Sequence, residues 1–151
     1  MCINTKEVKQ MLRKMKTDDL DPVIQIWLES NRQAHSFIEA DYWEKNKEEV
    51  RKMLPHSLIQ VAEIEGNIVG FIGMNETKIE GLFVNCNFQS RGIGHSLIEW
   101  AKTRNEVLTL NVYQKNQRAL KFYLKEGFVI HEQLIDEETG EIEFLMQWKR
   151  S

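Results

Sequence analysis

The sequence predicts a single small domain of mixed α/β class, and three observations predict it. Its 151 residues match the commonest size of one domain with one core. Two β-branched apolar runs, Leu58 to Ile64 and Ile68 to Met74, flank Glu65-Gly66-Asn67 as the arms of a hairpin would. From residue 79 onward the pattern becomes strand, loop, helix, strand, helix, strand, strand. With 42% hydrophobic and 28% charged residues the chain has the balance of a soluble globular protein. A net charge of −3 gives no general attraction to nucleic acid or to an anionic membrane. The longest apolar stretch, Ile68 to Met74, is too short to span a bilayer. No charged segment followed by an apolar run stands at the N-terminus, and Cys2 and Cys86 form no spaced metal or disulfide pattern. A reducing cytosol is therefore the expected location.

Taken in order, residues 1–10 read as an extension, and the domain, 11–151, begins at Met11. Thr5 to Lys16 carries Lys6, Lys9, Arg13, Lys14 and Lys16 against Glu7, a solvated basic arm. Met11 to Met15 alternates apolar and basic residues, as a half-exposed strand does. Thr17, Asp18 and Asp19 signal a helix start, and Pro22 is tolerated in a first turn. Leu20, Val23, Ile24, Trp27 and Leu28 then follow at helical spacing, so one face is buried. A second helix, Asp41 to Leu54, is rich in Glu and Lys and ends before Pro55. In the hairpin turn, Gly66 and Asn67 are placed where positive φ is needed. Ile79 to Val84 is a third strand of this part. The remaining elements are the loop Gln89–Gly94, helix Ile93–Thr103, strand Val107–Val112, helix Asn116–Glu126, and strands Phe128–Leu134 and Glu141–Trp148. Gly127 suits a left-handed cap that stops the second of these helices, with Phe128 folding back on it.

The most informative segment is Gln89-Ser90-Arg91-Gly92-Ile93-Gly94, between a strand and a helix. Two glycines let the backbone approach a ligand, and a helix starting here points free N–H groups and a positive dipole end outward. Such a place binds phosphate through main chain alone. A mononucleotide P-loop would need Gly-Lys-Ser/Thr after its spacer, which is missing. A dinucleotide fingerprint would need a third glycine at position 97, which is Leu97. A second constellation follows one strand–helix unit later, Asn111 to Ala119, then Phe122-Tyr123, then Gly127-Phe128. Asn116 can cap the helix and offer its amide across the gap, while Ala119, Phe122 and Tyr123 share one face.

Together these segments resemble the GNAT superfamily of N-acetyltransferases. Gln89 to Gly94 is similar to its pyrophosphate loop (Arg or Gln, two residues, Gly, one residue, Gly or Ala). Asn116, Ala119, Phe122-Tyr123 and Gly127-Phe128 are similar to its coenzyme A-facing helix. The resemblance runs from about Met11 to Trp148. Trp27 to Ser30, His35, Phe37-Ile38, Ala40, Tyr42-Trp43 and Val112 to Gln117 look most like small bacterial members, a group linked to acetylation of protein lysines. It implies a mostly antiparallel sheet with one adjacent parallel pair of strands that splays apart, flanked by about four helices, with the ligand entering the gap.

The resemblance also implies acetyl-coenzyme A as co-substrate, with no metal. Leu82, Phe83 and Val84 would pair with the pantetheine arm as an extra strand does. The backbone of Gln89, Ser90, Arg91, Gly92, Ile93, Gly94 and His95 would hold the pyrophosphate, and Asn116, Ala119, Phe122 and Tyr123 would line the thioester. Tyr123 is the implied general acid for the departing thiolate, and Glu80, on the strand leading to the loop, a candidate base. Period-two alternation puts Glu80 on the side of Leu82 and Val84. In some relatives a glutamate holds the place of Asn111, and asparagine cannot act as a base. His35, Phe37, Tyr42, Trp43 and Tyr113 are candidates for the acceptor pocket, and the acceptor is an amine of protein lysine or of a small molecule. His56, His95 and His131 are scattered without metal-ligand spacing. The alternative reading is a regulatory module that binds acyl-coenzyme A without turnover. A monomer or homodimer fits equally.

Overall fold

The computed structural model describes residues 10–89 and 91–151. Residues 1–9, with Cys2 and the first part of the basic segment Thr5 to Lys16, and Ser90 lie outside the described residues; Arg13 of that segment is no solvated arm but is paired with Asp19 and Glu63. Gln10, assigned to the extension above, docks on the domain through Nε2, which donates to Ser96 Oγ at 2.7 Å.

Seven strands form one sheet in the order β1-β2-β3-β4-β5-β7-β6. They are β1 (Met11–Lys14), β2 (Leu58–Ile64), β3 (Asn67–Asn75), β4 (Lys78–Val84), β5 (Val107–Tyr113), β6 (Val129–Ile135) and β7 (Ile142–Lys149). Every pairing is antiparallel except β4 with β5. Four α-helices flank the sheet, α1 (Leu20–Ala34), α2 (Ala40–Met53), α3 (Ile93–Arg104) and α4 (Gln117–Lys125).

The sheet buries both faces. Val23, Ile24 and Ile26 of α1 pack with Ile59, Val61 and Phe71 on one side. Ile93, Leu97 and Ile98 of α3 and Leu120 of α4 pack on the other, against Ile72, Leu108, Leu110 and Met146. Burial on both faces explains why β3 reads as a near-continuous apolar run, whereas β5 alternates, burying Leu108, Leu110 and Val112. A single 3₁₀ turn, Thr17–Asp19, precedes α1. Asp19 anchors it to β1, accepting Arg13 Nη1 at 2.7 Å and Nη2 at 3.0 Å together with the Lys16 N–H at 2.7 Å. Arg13 beside it holds the Asp19 carboxyl below its ordinary value.

The β2–β3 turn differs from expectation in one residue. Positive φ falls on Glu65 (51°) and Gly66 (81°), and Asn67 is already the first residue of β3. Two consecutive positive φ values give the tight two-residue turn whose twist matches the flanking strands. Among the described residues no helix is long and apolar enough to cross a membrane.

Candidate functional site

The site begins where the sheet opens. β4 and β5 are in register only at Lys78↔Thr109 and Ile79↔Leu110. Each strand stays zipped to its other neighbour, β4 to β3 as far as Val84↔Gly70 and β5 to β7 as far as Tyr113↔Glu143. The register of β4 on β3 slips at Gly73/Met74, so Glu80 is an extra residue between Ile79 and Gly81. A bulge bends its strand and sharpens the twist, and this one stands at the point of divergence. Beyond it the edge of β4 that faces β5 has no strand partner among the described residues. The resulting cleft is about 820 Å³.

Leu82, Phe83 and Val84 of β4 form one wall of the cleft, and Gln89 closes its lower corner by donating Nε2 to the Val84 carbonyl at 3.2 Å. The start of α3 forms the floor. Gly92 caps that helix at φ +79°, with no side chain on its first N–H groups. Ser96 returns both its N–H and its Oγ to the Gly92 carbonyl at 3.0 Å. The N–H groups of Ile93, Gly94 and His95 precede the first helical partner and have no acceptor among the described residues. A Cβ on Gly92 would meet no described protein atom within 4 Å, so within the protein this glycine serves backbone conformation. A Cβ on Gly94 would lie 3.2 Å from the Phe122 ring, so there the glycine lets α3 approach α4. His95 donates Nδ1–H to Glu126 at 2.8 Å, and both residues line the cleft. Arg91 does not line it; its guanidinium sits 5.2 Å over the ring of Phe88, which does.

The opposite wall is α4. Asn116 caps it, accepting the Ala119 N–H on Oδ1 at 3.2 Å. Ala119, Phe122 and Tyr123 face the cleft on successive turns. The helix stops as its sequence predicts: Gly127 adopts φ +95°, its N–H bonds the Leu124 carbonyl, and the Phe128 N–H bonds the Tyr123 carbonyl. Phe128 packs its ring 5.6 Å from that of Tyr123, and Phe122 packs at 5.2 Å. Tyr123 is 8% exposed, and burial pushes its phenol above the ordinary value. It stays protonated at neutral pH and can donate but not accept a proton.

Of the five residues expected around an acceptor, His35 alone reaches the cleft. Phe37, Tyr42, Trp43 and Tyr113 stack around and behind it, with His35 5.2 Å from Trp43, 5.1 Å from Tyr113 and 5.6 Å from Phe37. Burial lowers the His35 pKa to about 4. The Tyr42 hydroxyl donates to Glu138 and that of Tyr113 to Asp136, each at 2.5 Å. Burial and these carboxylates push both phenols up.

Glu80 is exposed and is not among the residues lining the cleft, because the bulge interrupts the alternation that would have aligned it with Leu82 and Val84. Asn111 donates to Glu143 at 3.1 Å on the β5–β7 ladder. The cleft also takes in residues that the sequence reading did not single out for it. Ser30 and Ala34 line it from α1, at helical spacing from Trp27, and Lys125 and Glu126 from the end of α4. One group of metal-compatible side chains occurs among the described residues, His95, Glu99 and Glu126, with ligand atoms within 4.8 Å of one another. Lys102 Nζ stands 3.6 Å from Glu99 in that group.

Residues 22–149 match the model of the acetyltransferase (GNAT) domain. The chain is 34% identical over 140 residues to the peptidyl-lysine N-acetyltransferase YiaC of Escherichia coli (strain K12), covering 91% of this chain and 96% of that one. It is 30% identical over 120 residues to the peptidyl-lysine N-acetyltransferase YjaB of the same organism, covering 79% and 82%. The solution structure of apo-form YjaB superimposes with a TM-score of 0.84 over 95% of this chain and 99% of that one, at 25% identity. A splayed parallel strand pair, an uncapped helix start at a glycine loop and a domain match over nearly the whole chain agree, and the chain belongs to the GNAT acetyltransferase family.

Proposed function

We propose that the protein transfers an acetyl group from acetyl-coenzyme A directly to an amine, with a protein lysine as the first acceptor to test. One observation carries the reading: a strand edge without a partner, a helix start with free N–H groups and a buried tyrosine meet in a single cleft. The residues present fit the co-substrate. The free N–H groups of Ile93, Gly94 and His95 suit its pyrophosphate, the edge Leu82–Val84 suits the amides of its pantetheine arm, and Asn116, Ala119 and Phe122 flank the reacting end. Acetyl-coenzyme A supplies the activated thioester. The neutral amine nitrogen attacks the carbonyl carbon, the carbon–sulfur bond breaks as Tyr123 donates its hydroxyl proton to the sulfur, and the proton that the nitrogen gives up passes to water, from which the tyrosinate is reprotonated.

The amine must arrive neutral. A free lysine costs about 4.6 kcal/mol to deprotonate at pH 7 and a chain α-amine only about 1–1.4 kcal/mol. His35 does not supply the base in this geometry, since its Nε2 lies 3.1 Å from the Asn116 amide, whose orientation makes that nitrogen the acceptor. Glu80 lies at the bulge, outside the cleft lining, so a role as base runs through water. A cationic acceptor is favoured by the carboxylates Asp136, Glu138 and Glu143, which act on Tyr42 beside the aromatic cluster. The names of YiaC and YjaB support peptidyl lysine in particular.

The test is thiol release from acetyl-coenzyme A with lysine peptides, polyamines and amino-acid α-amines, alongside calorimetric titration with coenzyme A. Transfer to at least one amine is expected. Tight coenzyme A binding without thiol release to any amine would replace this reading with the non-catalytic module.

A further inference from the structure

His35 and Asn116 are far apart in sequence and come from opposite sides of the opening in the sheet. His35 ends α1, whose apolar face packs on β2 and β3, and Asn116 caps α4 just after β5. Backbone pairing between the two halves stops at Ile79↔Leu110. At the open end, Asn116 Nδ2 stands 3.1 Å from His35 Nε2.

We propose that His35 is a positioning residue for the cofactor-facing helix, accepting a hydrogen bond from Asn116 and so fixing that amide and the start of α4 across the gap. The direction of the bond follows from the partners. Asn116 Oδ1 accepts the Ala119 N–H, so Nδ2, a donor only, is the atom turned to His35. Nε2 must then present its lone pair, and the neutral ring carries its proton on Nδ1. That Nδ1 is buried in a residue 8% exposed, and although the Asn31 carbonyl acts on the ring, Nδ1 meets no partner at hydrogen-bond geometry among the described residues. A buried donor left unpaired is costly, and a phenylalanine among Phe37, Trp43 and Tyr113 would avoid the cost. The imidazole is therefore explained by what its other nitrogen does. Burial keeps the ring neutral down to about pH 4, so the lone pair is present throughout the neutral range. Asn116 retains one amide hydrogen and one lone pair, and it lines the cleft together with His35. Through Asn116 the contact sets where Ala119, Phe122 and Tyr123 stand relative to β4.

This inference rests on the coenzyme A reading above, and its test separates the two. Full-length His35→Gln keeps an acceptor near the reach of Nε2, His35→Asn reaches only as far as Nδ1, and His35→Phe keeps the ring packing alone. Coenzyme A affinity by calorimetry should fall about tenfold in the Asn and Phe variants and stay within about twofold in the Gln variant, the worth of one hydrogen bond. Asn116→Ala should lose at least as much, because it also removes the cap on α4, and His35→Phe combined with Asn116→Ala should lose no more than Asn116→Ala alone, since His35 acts only through Asn116. In the wild type, long-range ¹⁵N–¹H correlation should show a proton on Nδ1 of His35 and none on Nε2. Additive losses in the double variant, a proton on Nε2, or wild-type affinity in His35→Phe would each overturn the assignment. If His35→Phe fails to fold, the contrast of Gln with Asn and the tautomer decide. Absence of coenzyme A binding by the wild type would instead remove the function on which the inference stands.

Discussion

In two side chains, Tyr123 and His35, burial disfavours the charged form, and each makes a prediction. Tyr123→Phe keeps the ring contacts with Phe122 and Phe128 and deletes only the hydroxyl. Melting temperature and coenzyme A affinity should barely move, while turnover measured by thiol release falls about 10²- to 10⁴-fold, the usual worth of one general acid. Full turnover in this variant would show that the thiolate takes its proton from water. For His35, the unfolded chain takes up a proton near the ordinary value of 6.5, whereas the folded chain does so only near 4. Its contribution to stability is therefore complete above pH 6.5, is lost as pH falls toward 4, and is constant below that. Between pH 7 and pH 4.5 the wild type should lose on the order of 2 kcal/mol more than His35→Gln, read from denaturant midpoints. The place of Tyr123 on the cleft wall was legible through its spacing from Asn116. The partnership of His35 with Asn116 was not, because no local pattern links positions on opposite sides of a sheet.

The start of α3 depends on two glycines for different reasons, and substitutions should separate them. Gly92 needs a left-handed backbone in open space. Asparagine visits that region at small cost and a β-branched residue does not, the left-handed penalty being roughly 1–2 kcal/mol. Gly92→Asn should retain coenzyme A affinity within a few-fold by calorimetry, while Gly92→Val loses at least about tenfold, as the conformational penalty displaces the free N–H groups. Equal affinity of the two variants would count against a conformational role. Gly94→Val should lower melting temperature as well, because its side chain meets the Phe122 ring. The strands and helices themselves were legible, since apolar period and caps are local: the Gly127 stop on α4 formed with both expected main-chain bonds. The bulge at Glu80 was not. Alternation assumes two residues per repeat, and one inserted residue shifts every later side chain to the other face.

At the scale of the molecule, the sheet is two antiparallel halves joined by two residue pairs of β4 and β5, with the cleft where the joint opens. A ligand spanning that gap should stabilise the fold as a whole. Coenzyme A at a hundredfold excess over its dissociation constant should add about 2.7 kcal/mol. For a chain of this length that is a rise of roughly 5–10 °C in melting temperature, checked by thermal scanning. No rise at saturating concentration would mean that the ligand does not bind the folded cleft. The sequence by itself determined the class of fold, the order of the elements, the glycine loop ahead of α3 and the helix bearing Tyr123. Each of these rests on spacing within about fifteen residues, where propensity, capping and glycine conformation act. Only the tertiary structure decided that Glu80 stands outside the cleft, that His35 alone of the aromatic cluster reaches it, and that His35 meets Asn116. Those outcomes depend on how far two strands diverge after their last shared hydrogen bond. Divergence is set by the competing pull of β3 on β4 and β7 on β5, a balance between distant segments that no local window of sequence records.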